Sequence, residues 1–174
     1  MKSTGIVRRI DDLGRIVIPK EIRKTLKIKE NESLEVFINN DEIILKKFSN
    51  MNDLEKIVEN YIKVLKDITG NNIIVTDRNK IIGTSESLKN EYLNREISEN
   101  LDILFNNRKK FLSNDNKEIE LLPNKKIKVN FYLIPIIVNS DVSGSIIMLS
   151  NKEIKEEEKL TLDIISKIII NSLE

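Results

Sequence analysis

Among 174 residues the chain has no Cys, His, Trp, Ala or Gln. Each of the chemically useful absences excludes something. Without Cys there is no disulfide framework, thiolate nucleophile or Cys-ligated zinc. Without His there is no Ser-His-Asp triad, imidazole metal site or His-based pH switch. General acid–base work would fall to carboxylates, Lys or Tyr, and the 28 acidic residues are spread out without a paired motif. Glu156-Glu157-Glu158 reads as the solvated first turn of a helix, where the dipole favours negative charge. No enzyme is expected, and no metal. No apolar run approaches the ~18–20 residues that span a bilayer. The start, MKSTGIVRRIDD, lacks a signal-peptide apolar region. The expectation is a soluble cytoplasmic protein that does not touch membranes.

What is present is unevenly placed. The net charge is only +1, from 29 basic and 28 acidic residues. Through Lys29, however, nine basic residues face three acidic ones, a net of +6, which leaves −5 on the remainder. A compact basic segment on an otherwise acidic chain points to a local polyanion site. Arginine sharpens the point. The chain has 22 Lys and seven Arg, yet four of the Arg (Arg8, Arg9, Arg15, Arg23) lie in the first 23 residues. The planar guanidinium makes bidentate contacts to phosphate or guanine that an ammonium cannot.

The length allows one large domain or two small ones. Residues 4–10 and 15–18 read as short strands around an Asp11-Asp12-Leu13-Gly14 turn. Pro19 fits the first helical position of a helix running to Leu26. Ile22 and Leu26 form its apolar side, and Lys20, Arg23, Lys24 and Lys27 its basic side. Leu34-Val36-Ile38 alternate on a strand, Asn39-Asn40-Asp41 turn, and Ile43-Ile44-Leu45 return. A unit of about 48 residues buries too little surface alone, so intertwined dimerisation is a natural remedy.

After a linker at 50–53, residues 54–174 read as α-β-β-α-β-β-β-α, an α+β pattern with an antiparallel sheet. Leu54, Ile57, Val58, Tyr61, Ile62 and Leu65 follow helical spacing. Leu88 to about Phe111 reads as mostly helical, and Lys126 to Val138 as one long strand with Pro135 marking a bulge or edge. The last helix, Lys152 to Leu173, is apolar on more than one side. With the helix at 54–68 it is expected to pack on another chain, through residues including Ile165, Ile168 and Ile169.

The stretch STGIVRRIDDLGRIVIPKEIRKTLKIKENESLEVFINNDEIILKK resembles the SpoVT-AbrB DNA-binding domain. The family pattern G-[IV]-[VT]-R-x-[IV]-D-x-L-G-R-[IV]-V-[IL]-P-x-E-[IL]-R is complete from Gly5 to Arg23. The resemblance implies a swapped-hairpin β-barrel of two interleaved chains over residues 1–49, binding double-stranded DNA. It implies DNA contacts from Arg8, Arg15, Arg23 and Lys24, the last at a position that is often Arg. Lys2, Lys20 and Lys27 are further phosphate contacts. Arg9 neighbours Arg8 on an expected strand and so points to the opposite face. Asp11 and Glu21 lie beside arginines, where salt bridges would fix Arg geometry.

Linker, length and element order extend the resemblance to regulators with a GAF domain, here 54–174. It implies control of forespore genes on the nucleoid of a spore-forming bacterium, with sequence-tolerant DNA binding. Dimeric barrels plus a second helical interface imply a tetramer. Bilin attachment and GAF-type sulfoxide reduction need Cys, and haem usually needs His, so no cofactor is expected. The sequence names no ligand. Tyr92, Phe131 and Tyr132 are candidate pocket liners that read more simply as core. An antitoxin of the same barrel fold is the alternative, although those chains usually end in a short toxin-wrapping tail.

Overall fold

The computed structural model describes residues 5–26, 28, 30, 33–47 and 55–173. The chain divides into two compact units, Met1–Phe48 and Ser49–Glu174. The expected linker at 50–53 lies outside the described residues, as do Lys2, Lys27 and Leu54; of Ile57 only its place in a helix is described.

In the first unit, helix α1 (Lys20–Thr25) follows Pro19, which is its N-cap with φ −58° and ψ 147°. The helix thus begins one residue later than expected, with Pro19 just outside it. Strands β1 (Leu34–Asn39) and β2 (Glu42–Lys47) pair antiparallel from Asn39–Glu42 to Leu34–Lys47. Asn40 takes a positive φ of 50° at the hairpin tip, a conformation that Asn tolerates well. The expected strands at 4–10 and 15–18 are not formed among the described residues. A strand needs a ladder partner, and no β-ladder forms along the described residues of these arms. Their apolar side chains are consequently open: Val7 is 87% exposed and Val17 73%.

The second unit is built on a five-stranded antiparallel sheet. Its strands are β3 (Asn72–Asp77), β4 (Ile81–Thr84), β5 (Phe111–Ser113), β8 (Asn130–Val138) and β9 (Asp141–Ser150). Their spatial order is β4-β3-β9-β8-β5. A separate hairpin joins β6 (Glu118–Leu122) to β7 (Lys125–Lys128). Helices α2 (Glu55–Thr69) and α5 (Glu156–Asn171) cover one sheet face; α3 (Lys89–Tyr92), α4 (Glu99–Asn106) and the β6–β7 hairpin cover the other. Both faces are therefore buried, which is why β3, β8 and β9 read as almost unbroken apolar runs. Ile73 and Val75 enter the α2–α5 core, and Ile74 enters the opposite one. Tyr92, Phe131 and Tyr132 are buried core residues.

Two expectations change here. Residues 88–111 are not one helix. Leu93 turns extended at φ −61° and ψ 136°, and Asn94 takes φ 61°. Ser98 then caps α4 by accepting from Leu101 N. The i, i+4 residues Ile97, Leu101 and Phe105 still share one core, so the periodicity was real although the helix is interrupted. The expected strand 126–138 is likewise split at Val129 into β7 and β8. Pro135 lies beyond the end of the β5 pairing and beside a bulge at Ile136/Ile137, as its missing N–H requires.

Gly144 shows how tightly β9 lies on β3. A Cβ at Gly144 would stand 1.9 Å from the Thr76 carbonyl oxygen, which belongs to backbone and cannot swing away. Gly144→Ala should therefore destabilise the second unit by at least about 3 kcal/mol, read as a lower urea midpoint. An unchanged midpoint would refute this packing.

Candidate nucleic-acid interface

The basic segment folds around one turn. Gly14 takes φ +75°, a region that favours glycine. Gly14 N donates to Asp11 O at 2.9 Å, and Asp11 N donates to Arg15 O at 3.0 Å. The Asp11 carboxylate completes the loop. Its Oδ1 accepts from Leu13 N at 3.1 Å and Arg15 N at 2.7 Å. Its Oδ2 accepts from Arg15 Nε at 2.7 Å. The Arg15 backbone N–H, and next its guanidinium, hold the Asp11 carboxyl below its ordinary value. The Arg15 side chain nevertheless remains 71% exposed.

The other cations sit around this turn in sequence. Arg8 and Arg9 lie on the arm before it, and both are exposed. The strand alternation expected to separate them does not arise, because that arm is not a strand here. Lys20 and Lys24 are exposed on α1. Arg23 differs: it is half-buried, and its Nε is buried without a hydrogen-bond partner. The geometry therefore distinguishes a braced, open Arg15 from a partly sunken Arg23. Sequence spacing foresaw that Asp11 could brace an arginine but not which one. Only the closed turn brings position 11 onto 15. Glu21 has no equivalent ion pair among the described residues.

The residues expected at an oligomer contact divide in two. Val58, Ile62, Leu65 and Ile169 are buried in the chain's own core, and Tyr61 and Ile165 pack partly against it. The first four therefore keep almost no surface for a second chain, whereas Tyr61 and Ile165 retain part of theirs. Ile168 is exposed, and it lies on a stripe with Leu160 and Ile164 along α5; α2 exposes Val64 and Ile68. Leu160 and Ile164 precede Ile168 at helical spacing and could have been separated from Leu162 and Ile169 by assigning each face its own cover.

Comparison with known proteins agrees with both units. The family model described as "Stage V sporulation protein T C-terminal, transcription factor" matches residues 53–173. A model described as "Antidote-toxin recognition MazE, bacterial antitoxin" matches residues 7–50. Stage V sporulation protein T of Bacillus subtilis (strain 168) is 43% identical over 155 residues, covering 88% of this chain and 87% of that protein. The transition state regulatory protein AbrB of the same organism is 58% identical over 48 residues, covering 28% of this chain and 50% of that one. The cofactor-binding GAF domain of the nutrient sensor CodY from Clostridium difficile shares the fold. It has a TM-score of 0.52 at 14% identity, over 89% of this chain and 94% of that one. An AbrB-like basic unit followed by a GAF-fold unit defines a DNA-binding transcription regulator. Within that class, the chain belongs to the stage V sporulation protein T family.

Proposed function

We propose that two chains intertwine their N-terminal units and present paired copies of Arg8, Arg15, Arg23 and Lys24 to duplex DNA. Lys2, Arg9, Lys20 and Lys27 add phosphate contacts. The GAF unit assembles dimers into a tetramer, and the chain controls sporulation genes on the forespore nucleoid without catalysing a reaction. The observation that carries this reading is the state of the first unit. Among its described residues only Pro19 is buried, while large apolar residues from Ile6 to Leu45 lie open beside the cations. A second copy can cover the apolar residues and leave the cations outside.

Most of the affinity comes from phosphate neutralisation, with arginine contacts and DNA deformability adding modest specificity. Fluorescence anisotropy on a 30-bp duplex across a salt series tests it. The slope of log K against log salt should be about −5 to −7, since a dimer offers up to eight principal cations. A slope near zero would reject DNA as the polyanion.

The antitoxin-type match over residues 7–50 supports a second reading. Two facts favour the regulator: the same stretch aligns with AbrB at 58% identity, and the remainder forms a folded domain instead of a short tail. A small toxin co-purifying in fixed stoichiometry would reverse that choice.

A further inference from the structure

We infer that Asp11 is a positioning residue that turns Arg15 into the base-reading arginine of the interface, at a cost in overall affinity. The inference rests on the proposed approach of Arg15 to DNA and goes beyond it by assigning that side chain a division of labour.

A carboxylate beside a phosphate-binding arginine is electrostatically unfavourable. It lies 2.7 Å from the Arg15 guanidinium and offsets the charge that would attract the duplex. A unit selected only for phosphate affinity would do better without it. Asp11 supplies geometry instead. One oxygen fixes the Arg15 main chain and the other fixes Nε, so both ends of the side chain are held by one anchor. With Nε occupied, the guanidinium has only its terminal edge left. Nη1 and Nη2 make no hydrogen bond or ion pair among the described residues, and the side chain is largely exposed. That edge is a two-donor fork, which matches the O6/N7 acceptor pair of guanine in the major groove. Bracing matters for base reading, because a bidentate contact needs one orientation whereas a phosphate accepts many. Arg8, Arg9, Lys20 and Lys24 show no comparable brace to a carboxylate among the described residues, which suits them to phosphate.

Asp11→Asn separates these roles. The Asn carbonyl can still accept from Leu13 N and Arg15 N, so the turn is retained, while the charge and the Nε anchor are lost. Two measurements follow on the full-length chain. The first is anisotropy on a random-sequence 30-bp duplex across salt. The second is sequencing of a randomised 30-bp library after selection by the wild type and each variant. Asp11→Asn should bind the random duplex several-fold more tightly with a steeper salt slope. Its selected motif should flatten at a G·C position that the wild type enriches, discrimination there falling roughly tenfold. Asp11→Ser, which keeps a turn-capping oxygen, should behave alike and serves if the Asn variant does not fold.

A motif as sharp as wild type in a folded variant would overturn the proposal, as would a wild-type selection that enriches no G·C position. Weaker binding to random duplex by a folded variant would also overturn it, because Asp11 would then be supporting affinity. Arg15→Ala separates the two levels. If it changes neither affinity nor motif, Arg15 does not face DNA and the underlying reading fails. If it lowers affinity while Asp11→Asn leaves the motif intact, only the positioning role fails.

Discussion

The double substitution Arg15→Ala with Arg23→Ala should remove most duplex binding, about a thousandfold at 150 mM salt or roughly 4 kcal/mol. In the proposed dimer the change deletes four guanidiniums. With Arg15 reading bases, the two Arg23 copies should make the salt slope shallower by nearly 2, at about 0.9 per phosphate contact; a change of nearly 4 would place Arg15 on phosphate as well. The fold should survive. The Asp11 turn is closed by the Arg15 backbone N–H and carbonyl, which alanine keeps. Removing the Arg23 side chain also removes a buried Nε that has no partner, so nothing is newly unpaired. Alanine is moreover the best helix former for a position inside α1. A loss of binding with an unchanged thermal midpoint therefore reports contact and not unfolding. Replacing both arginines with lysine should restore most of the slope but only part of the affinity, because an ammonium attracts phosphate without forming a fork. Wild-type affinity in the double alanine variant would sink the assignment of the interface.

The basic segment and its elements were legible in proportion to how local their causes are. Helix α1, the β1–β2 hairpin and the β3–β4 pair follow from turn residues and short-range periodicity, and they lie where the pattern puts them. The arms at 4–10 and 15–18 have strand composition, yet their described residues form no β-ladder, because composition sets the tendency to pair and not the partner. Residues 88–111 were misread for a different reason. Ile97, Leu101 and Phe105 keep helical spacing across a real break, since all three reach the same core from two separate segments. The break itself depends on tertiary bonds, including Ile97 N to Asn79 O and Ser98 N to Leu121 O, which no local window contains.

The same limit governs α2 and α5. Periodicity identifies apolar faces but not what covers each one, because Ile and Leu serve core and interface alike. Only the packed sheet shows that Leu65 and Ile169 face inward while Ile164 and Ile168 face out. The site is similar. Arg15 and Arg23 stand out in the sequence as rare arginines in a lysine-rich chain, but their different burial comes from the turn and the helix placing them.

Ile164→Glu with Ile168→Glu should split the proposed tetramer into dimers without unfolding either unit. The rotation of α5 is fixed from inside. Asp163 accepts from the buried Tyr132 hydroxyl at 2.9 Å and pairs with Lys110 at 2.7 Å. Burial, and then Asp163, push the Tyr132 hydroxyl well above its ordinary value, so it stays a donor. With Asp163 turned inward, Leu160, Ile164 and Ile168 form an outward stripe at i, i+4 and i+8. Val64 and Ile68 extend the exposed apolar surface on α2, which touches α5. Five partly exposed side chains per copy, at about 1 kcal/mol for completing the burial of each, give a two-copy contact on the order of 10 kcal/mol before the entropic cost of association. That margin is narrow, and two buried glutamates on each copy would exceed it. Sedimentation should show about 81 kDa for four wild-type chains of 20.2 kDa and about half that for the variant. Ile169→Glu, by contrast, places a charge in the α2–α5 core and should unfold the second unit. The dimeric variant should hold a single short duplex as tightly as wild type, because the arginines are untouched. On a duplex carrying two separated sites it should lose the avidity that a second barrel provides, about a hundredfold or more. A variant still sedimenting as a tetramer would place the assembly surface elsewhere. A wild type already dimeric at micromolar concentration would remove the tetramer altogether.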